Sequence, residues 1–379
     1  MRCILPILVL LFGFSSCSKS LENSNHSLKP YTFTFDTLMI DAKEELLFME
    51  VGFFGATLSN DEKHLYKLGG MTPKVEVINI EDFKLEKILE FDSEGPNGIG
   101  EFISDIKVNT TGELVLSSYE RLGVFDEEGK KIFDISPITL DFDDLERGEQ
   151  LYPFTILSDD KKKLFTQIES NTNGFVYLGI IDTESKTLKK LKIPDFEYAK
   201  KFRFSFMTGR SGAINPTGPS MQFLNNEILF TNKYFNTISR YDMKSDSMIN
   251  ISYDPVLTAD RKIGNYLIDH GSFESFQDEI VKTEKEVSFG KLLWDRNSRV
   301  YYRFSQIGIS TFDDKGKEKV ETYQVYLTVL DDAFNPIGVE KVDALNKMPE
   351  HVFVKNSKIW LDFNINDELA VVQMGIHSK

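Results

Sequence analysis

The chain has 379 residues and a formal net charge of −15 at pH 7. This excess of acidic groups disfavours attraction to nucleic acid or to anionic lipid. Its only cysteines, Cys3 and Cys17, exclude a disulfide-rich scaffold, while its 31 Phe and 14 Tyr suit the packing of β-strands. We therefore expect a β-rich protein with no nucleic-acid partner.

The first residues have the features of a secretion signal. Arg2 gives a positive start, an apolar run extends from Ile4 to Phe14, and two serines precede Cys17. The run is too short to cross a bilayer, which takes about 20 apolar residues, so it fits a cleavable signal peptide. Small residues before a cysteine resemble the cleavage site of bacterial lipoproteins. We predict a signal peptide over residues 1–16, the alternative being an ordinary signal with a chance cysteine.

Lipidation of Cys17 would also explain why the mature chain keeps a single, unpaired cysteine. The polar stretch SKSLENSNHS that follows cannot bury enough apolar surface to order itself. Residues 17–30 are therefore predicted to be a lipidated cysteine and a flexible tether. This places the protein in the cell envelope, anchored to a membrane by lipid, and we expect the outer membrane, on its periplasmic or surface face.

One strand-turn-strand pattern recurs six times at intervals of about 50 to 70 residues. Each copy has apolar residues, a polar turn rich in Asn, Asp, Lys or Gly, and an alternating strand, which is typical of a β-hairpin. The copies are LSNDEKHLYKL from Leu58, VNTTGELVLSS from Val108, LSDDKKKLFTQ from Leu157, FLNNEILFTNK from Phe223, WDRNSRVYYRF from Trp294 and VKNSKIWLDFN from Val354.

A second hairpin follows most copies, for example over Lys74 to Phe91 and Arg121 to Ser136. Two hairpins per repeat give a four-stranded antiparallel unit, and repeated units of this kind indicate a β-propeller. The last repeat has only three strands, whereas Tyr31 to Thr37 is an isolated alternating strand. We predict an all-β, six-bladed propeller over residues 31–379, closed by this N-terminal strand. The alternative, a β-sandwich with a second domain, would need a linker near the middle of the chain.

Two segments interrupt the repeats. Asp195 to Arg210, with the SGAINPTGPS that follows, is predicted to be a long loop between the third and fourth blades. Ser272 to Val281 is predicted to be a short helix before the fifth blade, because Phe273, Phe276 and Ile280 share one helical face.

A glycine-rich stretch, FDSEGPNGIGEF from Phe91 to Phe102, adds a family resemblance. Together with VNTTGELVLSS and the YYRF ending at Phe304, it resembles the six-bladed β-propeller lipoproteins of Bacteroidetes, which have a TolB-like layout. The usual motif is Gly-Pro-Gly-Glu-Phe, whereas here four residues separate Pro96 from Glu101. Many members are described only as domains of unknown function, so the resemblance implies a fold and a location but no reaction.

No catalytic, metal or cofactor motif is evident. The five histidines are far apart, and no cysteine pair, metalloprotease motif or nucleophile elbow occurs. The acidic cluster from Asp141 to Glu149 lacks the spacing of a calcium loop and reads as a solvated loop. We therefore predict no catalytic residue, no metal and no cofactor.

The remaining candidates are cationic and aromatic residues where blades meet loops, namely Arg203, Arg210, Tyr302 and Arg303. Arginines in an acidic protein can bind a carboxylate or sugar substituent, although salt bridges between blades are the alternative. The sequence favours a scaffold that binds an unidentified small molecule, glycan or protein. The competing hypothesis is a glycan hydrolase or lyase using carboxylates or His270 in a central funnel.

Overall fold

The computed structural model describes residues 28–379, except 49, 51, 171–173, 194–195 and 244. The predicted signal peptide and Cys17 lie outside the described residues, as does nearly all of the predicted tether. The described chain is built mainly of strands, numbered below in chain order. It also has two α-helices, α1 (Phe196–Ala199) and α2 (Phe273–Glu284), and two 3-10 helices, Pro137–Thr139 and Lys200–Phe202.

Six four-stranded antiparallel sheets account for most of the strands. The first sheet contains β2 (Thr57–Leu58), β3 (His64–Leu68), β4 (Lys74–Asn79) and β5 (Lys84–Glu90). The second contains β6 (Asp105–Val108), β7 (Leu114–Ser117), β8 (Leu122–Phe125) and β9 (Lys131–Ile135). The third contains β10 (Glu149–Leu157), β11 (Lys163–Ser170), β12 (Gly174–Asp182) and β13 (Leu188–Lys192).

The other three sheets follow the same plan. The fourth contains β16 (Ser220–Leu224), β17 (Glu227–Thr231), β18 (Ile238–Asp242) and β19 (Ser247–Ile251). The fifth contains β21 (Ser288–Asp295), β22 (Val300–Phe312), β23 (Glu318–Leu330) and β24 (Pro336–Lys341). The sixth contains β25 (Val352–Lys355), β26 (Lys358–Ile365), β27 (Glu368–Ser378) and β1 (Tyr31–Met39). Each predicted repeat thus forms one sheet.

The turn residues of the repeats explain the hairpins. Between β16 and β17, Asn225 and Asn226 both have positive φ, 51° and 59°. A two-residue hairpin turn of type I′ requires this conformation at both positions, and asparagine tolerates it better than most residues. Asn356 and Ser357 repeat the geometry between β25 and β26, with φ of 51° and 55°.

The N-terminal strand completes the sixth sheet, as predicted. β1 pairs antiparallel with β27, in a register that runs from Tyr31 opposite Ser378 to Met39 opposite Ala370. The sheet order is β1-β27-β26-β25, so β1 is the outermost strand. This pairing covers the outer edge of β27 and leaves β1 as the outer edge strand of the sheet.

The hydrophobic core is divided into six clusters, one between each pair of neighbouring sheets. The cluster that joins the sixth sheet to the first includes Trp360 and Val371 on one side and Leu65 and Ile78 on the other. Because the last sheet packs against the first, the sheets form a closed ring. The predicted β-propeller is confirmed, and the alternative of a sandwich with a second domain is wrong.

The two interrupting segments combine into what we call the accessory unit. It consists of α1, α2 and a three-stranded sheet of β14 (Ser205–Thr208), β15 (Ser211–Ile214) and β20 (Asp269–His270). The predicted loop is therefore partly wrong, because its chain forms a helix and a hairpin whose strand β14 pairs with the distant β20.

The predicted helix is confirmed as α2. The Ser272 hydroxyl caps it by accepting a hydrogen bond from the Ser275 N–H at 3.1 Å. Its buried face differs from the prediction, since Phe276 and Glu279 are buried whereas Phe273 is 50% exposed.

Candidate functional site

A cavity of about 930 Å³ lies where the first strands of the six sheets meet. Every sheet contributes lining residues from its first strand or from the residue just before it. Examples in sheet order are Thr57, Ile106, Ile156, Met221, Trp294 and His351. Ligand-binding pockets in proteins measure about 300–1,000 Å³, so this cavity could hold a small organic molecule.

A second cavity of about 220 Å³ adjoins the first. Several residues line both, including Asp105, Gln222, Lys291 and His351. We call these four residues the junction. They carry a carboxylate, an amide, an ammonium and an imidazole group, so the junction offers hydrogen-bonding groups of several kinds.

Aromatic side chains line the larger cavity from several sheets. Tyr152 and Phe154 lie on β10, with their ring centroids 5.2 Å apart. Phe223 on β16 is 41% exposed, and Trp294 on β21 packs against the Tyr301 ring at 4.5 Å. Rings that stay partly uncovered inside a cavity offer flat apolar surface to a ligand.

The third sheet places its aromatic rings with a β-bulge. Leu151 opposes Ile168, but the next pair is Thr155 opposite Thr166, so β10 holds extra residues between them. We call Tyr152 to Phe154 the third-sheet bulge. The Thr166 hydroxyl donates to the Tyr152 carbonyl at 2.7 Å, and Lys107 Nζ from the second sheet donates to the Thr155 carbonyl at 2.9 Å. Bulges re-aim side chains in this way beside functional sites.

The fifth sheet has a second bulge, Gly290 and Lys291. Phe289 opposes Ser305, whereas Leu292 opposes Arg303, which leaves one extra residue in β21. Arg303 Nε donates to the Gly290 carbonyl at 3.0 Å. The Gln222 amide accepts from the Leu292 N–H at 3.0 Å and donates to its carbonyl at 2.9 Å. This fifth-sheet bulge presents Lys291 to both cavities.

Two of the predicted ligand-binding residues lie inside the protein rather than on the cavity wall. Arg303 is 1% exposed, and besides Gly290 its guanidinium donates to the carbonyls of Asn232, Phe235 and Asn236 at 3.1, 3.4 and 2.6 Å. Tyr302 is 4% exposed and donates to the Asp295 carboxylate at 3.2 Å. Burial is the main cause that raises the pKa of Tyr302.

The other two predicted residues are also apart from the cavity. Arg203 lies near Glu169, with a nitrogen-oxygen distance of 3.7 Å, and Arg210 is exposed in the turn between β14 and β15. The structure therefore does not bring Arg203, Arg210, Tyr302 and Arg303 together at the cavity. Their role in ligand binding stays a prediction.

The placement of His270 in a central funnel is wrong. His270 is 6% exposed in the accessory unit, where Nδ1 lies 2.8 Å from the Ser275 hydroxyl and Nε2 lies 3.0 Å from the Leu267 carbonyl. Its ring contacts Phe204 and Phe276. These contacts fix the ring within the core of that unit.

Among the described residues, no group of three or more His, Cys, Asp or Glu side chains is arranged to hold a metal ion. In the acidic cluster, Glu146 and Glu149 instead lie 3.7 and 2.7 Å from Lys190 Nζ. No helix within the described part of the chain is long and apolar enough to span a membrane.

Sequence reasoning missed the side chains that line the cavity. Trp294 begins the fifth repeat, and Pro153 within a strand is a known sign of a bulge, so the sequence held two usable signals. Lys291 had no such signal, because its orientation depends on a register shift and on two partners from elsewhere in the chain.

The fold and the cavity define a β-propeller with a ligand-sized central site. The family described as a domain of unknown function, DUF4221, matches residues 30–341, and the chain belongs to this family. A member of the same family from Bacteroides vulgatus is 13% identical with a TM-score of 0.62, covering 93% of this chain and 100% of its own.

A second solved structure, a putative exported protein from Bacteroides fragilis, is 9% identical with a TM-score of 0.54. It covers 92% of this chain and 95% of its own. At these identities the similarity shows the fold alone. No curated protein matches the chain.

Proposed function

We propose that this protein is a lipid-anchored envelope protein that binds an oligosaccharide-like ligand in its central cavity. The observation that carries the proposal is the cavity of about 930 Å³ with partly uncovered aromatic rings. Sugars have apolar C–H faces that pack on aromatic rings, and hydroxyl groups that pair with amides and hydroxyls. The same lining supplies such partners from Asn226, Thr110 and Ser220.

Catalysis by a pair of carboxylates is less well supported. The lining carboxylates already have partners: Asp105 lies 2.7 Å from Lys107, and Glu350 lies 3.2 Å from Lys347. Asp159 accepts a hydrogen bond from the Thr110 N–H at 3.2 Å. Glycosidases place two carboxylates on either side of the bond they cleave. Carboxylates that are engaged in the wall favour binding over hydrolysis.

Replacing Phe223 with alanine tests the cavity. Because this side chain is 41% exposed, its loss should leave the fold intact while it removes apolar surface from the lining. We expect a loss of about tenfold or more in affinity for the oligosaccharides that bind, measured by calorimetry after screening on a glycan array.

Phe363→Ala is the matched control, since Phe363 is 56% exposed and lies outside the lining. Equal affinities of the wild type and Phe223→Ala for every bound sugar would contradict binding in the cavity. Failure of the wild type to bind any sugar on the array would contradict the ligand class.

Two observations support the envelope location and the anchor. The residues before Cys17 resemble a lipoprotein cleavage site, and the Bacteroides fragilis structure is described as a putative exported protein. The backbone of Lys29 and Pro30 lies beside the ring closure, where the Lys29 N–H donates to the Ile337 carbonyl and the Pro30 carbonyl accepts from the Lys379 N–H, both at 2.9 Å. An anchor at Cys17 would therefore leave the ring where its first and last strands pair.

Cys17→Ser tests the anchor in cells. The proposal expects the wild type in the membrane fraction with a labelled fatty acid attached, and the variant without label and released from membranes. Cys3→Ser is the control, because this cysteine lies within the segment that would be removed. Unchanged membrane association of Cys17→Ser would refute lipid attachment.

A further inference from the structure

Lys291 differs from the other charged residues that line the two cavities. Lys107 is paired with Asp105 at 2.7 Å, and Arg296 lies 3.3 Å from a Glu62 oxygen. Within the described part of the chain, Lys291 has no ion-pair partner, although its side chain is exposed at the cavity. An unpaired ammonium group inside a cavity is available for a ligand.

The backbone that carries Lys291 is held on both sides. Arg303 binds the carbonyl of the preceding residue, Gly290, and the Gln222 amide binds both backbone groups of the following residue, Leu292. A side chain at position 290 would also meet Met348 Sδ at 2.9 Å, so glycine allows the close packing there. The lysine is thus carried by a fixed bulge rather than by a loop, and fixed placement of this kind characterises binding groups.

The neighbouring imidazole adds a hydrogen-bonding group without a second charge. His351 also lines both cavities and packs edge-on against Phe54, with centroids 5.2 Å apart. Burial, followed by the positive charge of Lys291, lowers the pKa of His351. The lower pKa favours the neutral ring, so Lys291 is the cationic group of the junction, while the Asp105 carboxylate there is paired with Lys107 at 2.7 Å.

We propose that the cavity ligand is acidic, and that Lys291 binds its carboxylate or equivalent anionic group at the junction. This inference rests on the proposed function and specifies its ligand class. The whole protein is strongly acidic, with a net charge of −15, so its overall field repels anions. A local, unpaired cation is then required to hold an acidic sugar, and the aromatic rings of the larger cavity would pack on the rest of the ligand.

The test uses matched pairs of acidic and neutral probes with the full-length protein. The probes are trigalacturonate, sialyllactose and a hyaluronan tetrasaccharide, each paired with its own carboxyl methyl ester, which removes the charge and keeps the sugar. We expect at least one acidic probe to bind about tenfold or more tightly than its neutral partner. Lys291→Met should remove this preference, and Lys291→Arg should keep most of it.

Lys87→Met is the control, because it removes one exposed lysine from β5, outside both cavities. If acidic and neutral probes bind equally and Phe223→Ala weakens both, the cavity binds sugars but the acidic-ligand inference is wrong. The inference is also wrong if Lys291→Met weakens both members of a pair equally. If no acidic probe binds while a neutral sugar on the array does, the inference is wrong and the proposed function stands; if no sugar binds in either experiment, both are wrong.

Discussion

The two bulges beside the cavity are built on the same plan but held with different strength. In each, one side chain comes from the second strand of the same sheet and one from the first strand of the preceding sheet. Thr166 and Lys107 hold the third-sheet bulge, whereas Arg303 and Gln222 hold the fifth-sheet bulge. The described first strands of the other sheets pair with their second strands without a register shift.

The difference lies in the second-strand residue. Thr166 contributes a neutral hydroxyl, while Arg303 contributes a buried guanidinium that also binds three carbonyls of the chain following β17. The third-sheet bulge presents aromatic rings, which tolerate small displacements. The fifth-sheet bulge presents a single ammonium group, whose position determines which atom it can reach. The fifth-sheet bulge is therefore held more strongly, and it is the one whose side chain, Lys291, needs the more exact placement.

Arg303→Met should cause the largest effect, because it leaves up to four backbone carbonyls without their buried partner. A buried carbonyl left unsatisfied costs about 1–3 kcal/mol, so we expect the free energy of unfolding to fall by about 3 kcal/mol or more. Chemical denaturation measures it. Arg210→Met, at an exposed site, is the control and should change stability little. A loss for Arg303→Met no greater than that of the control would show that the fifth-sheet bulge is not held more strongly.

The free energy of unfolding should depend on pH because of Lys262, whose side chain binds the start of the bulged strand β21. Its Nζ donates to the Ser288 hydroxyl at 2.9 Å and to the Glu286 carbonyl at 3.2 Å. Burial lowers the pKa of Lys262 from 10.5 to about 7. Between these values the unfolded chain holds the proton and the folded chain does not, so folding becomes more favourable as pH rises, by at most about 1.4 kcal/mol per pH unit.

Denaturation curves at pH 7.5 and at pH 9 measure this gain in stability, because both pH values lie roughly between the folded and unfolded pKa values of Lys262. Lys262→Met should be less stable overall and should show a smaller gain than the wild type, because burial also lowers the pKa of Lys67 and Lys233 and their contribution remains. A wild-type stability that stays flat or falls over this interval would contradict the assignment, as would a gain of undiminished size in Lys262→Met.

The smallest expected effect on stability concerns Thr155 and Thr166, two threonines that face each other in the third sheet. The Thr166 hydroxyl lies 2.7 Å from the Tyr152 carbonyl, whereas the Thr155 hydroxyl is buried and has no hydrogen-bond partner among the described residues. Thr166→Val should cost about 1–2 kcal/mol, and Thr155→Val should be neutral or slightly stabilising, because it removes an unsatisfied polar group. Thermal denaturation of both variants compares them directly, and equal losses would show that the hydroxyl does not hold the bulge.

Much of the fold could be predicted because it depends on local patterns. Turn residues such as Asn225 and Asn226, alternating strands and the isolated strand at Tyr31 each indicated their own part of the ring. The accessory unit could not be predicted, because β14 pairs with β20 across the whole fourth sheet. Lys291 escaped prediction for the same reason, since its placement depends on Gln222, a residue of another sheet.

The pairing of β1 with β27 also constrains when the ring can form. Thr32 and His377, which contact each other across this pair, are 345 residues apart in the sequence. During translation β1 is made first of the described strands and β27 last. β1 therefore stays without its partner strand until β27 has been made. Contacts between residues this distant in sequence form slowly, and the unpaired edge of β1 can meanwhile pair with other chains. Until β27 has been made, the sixth sheet is incomplete, the ring is open, and its unpaired strand edges are exposed to association with other chains.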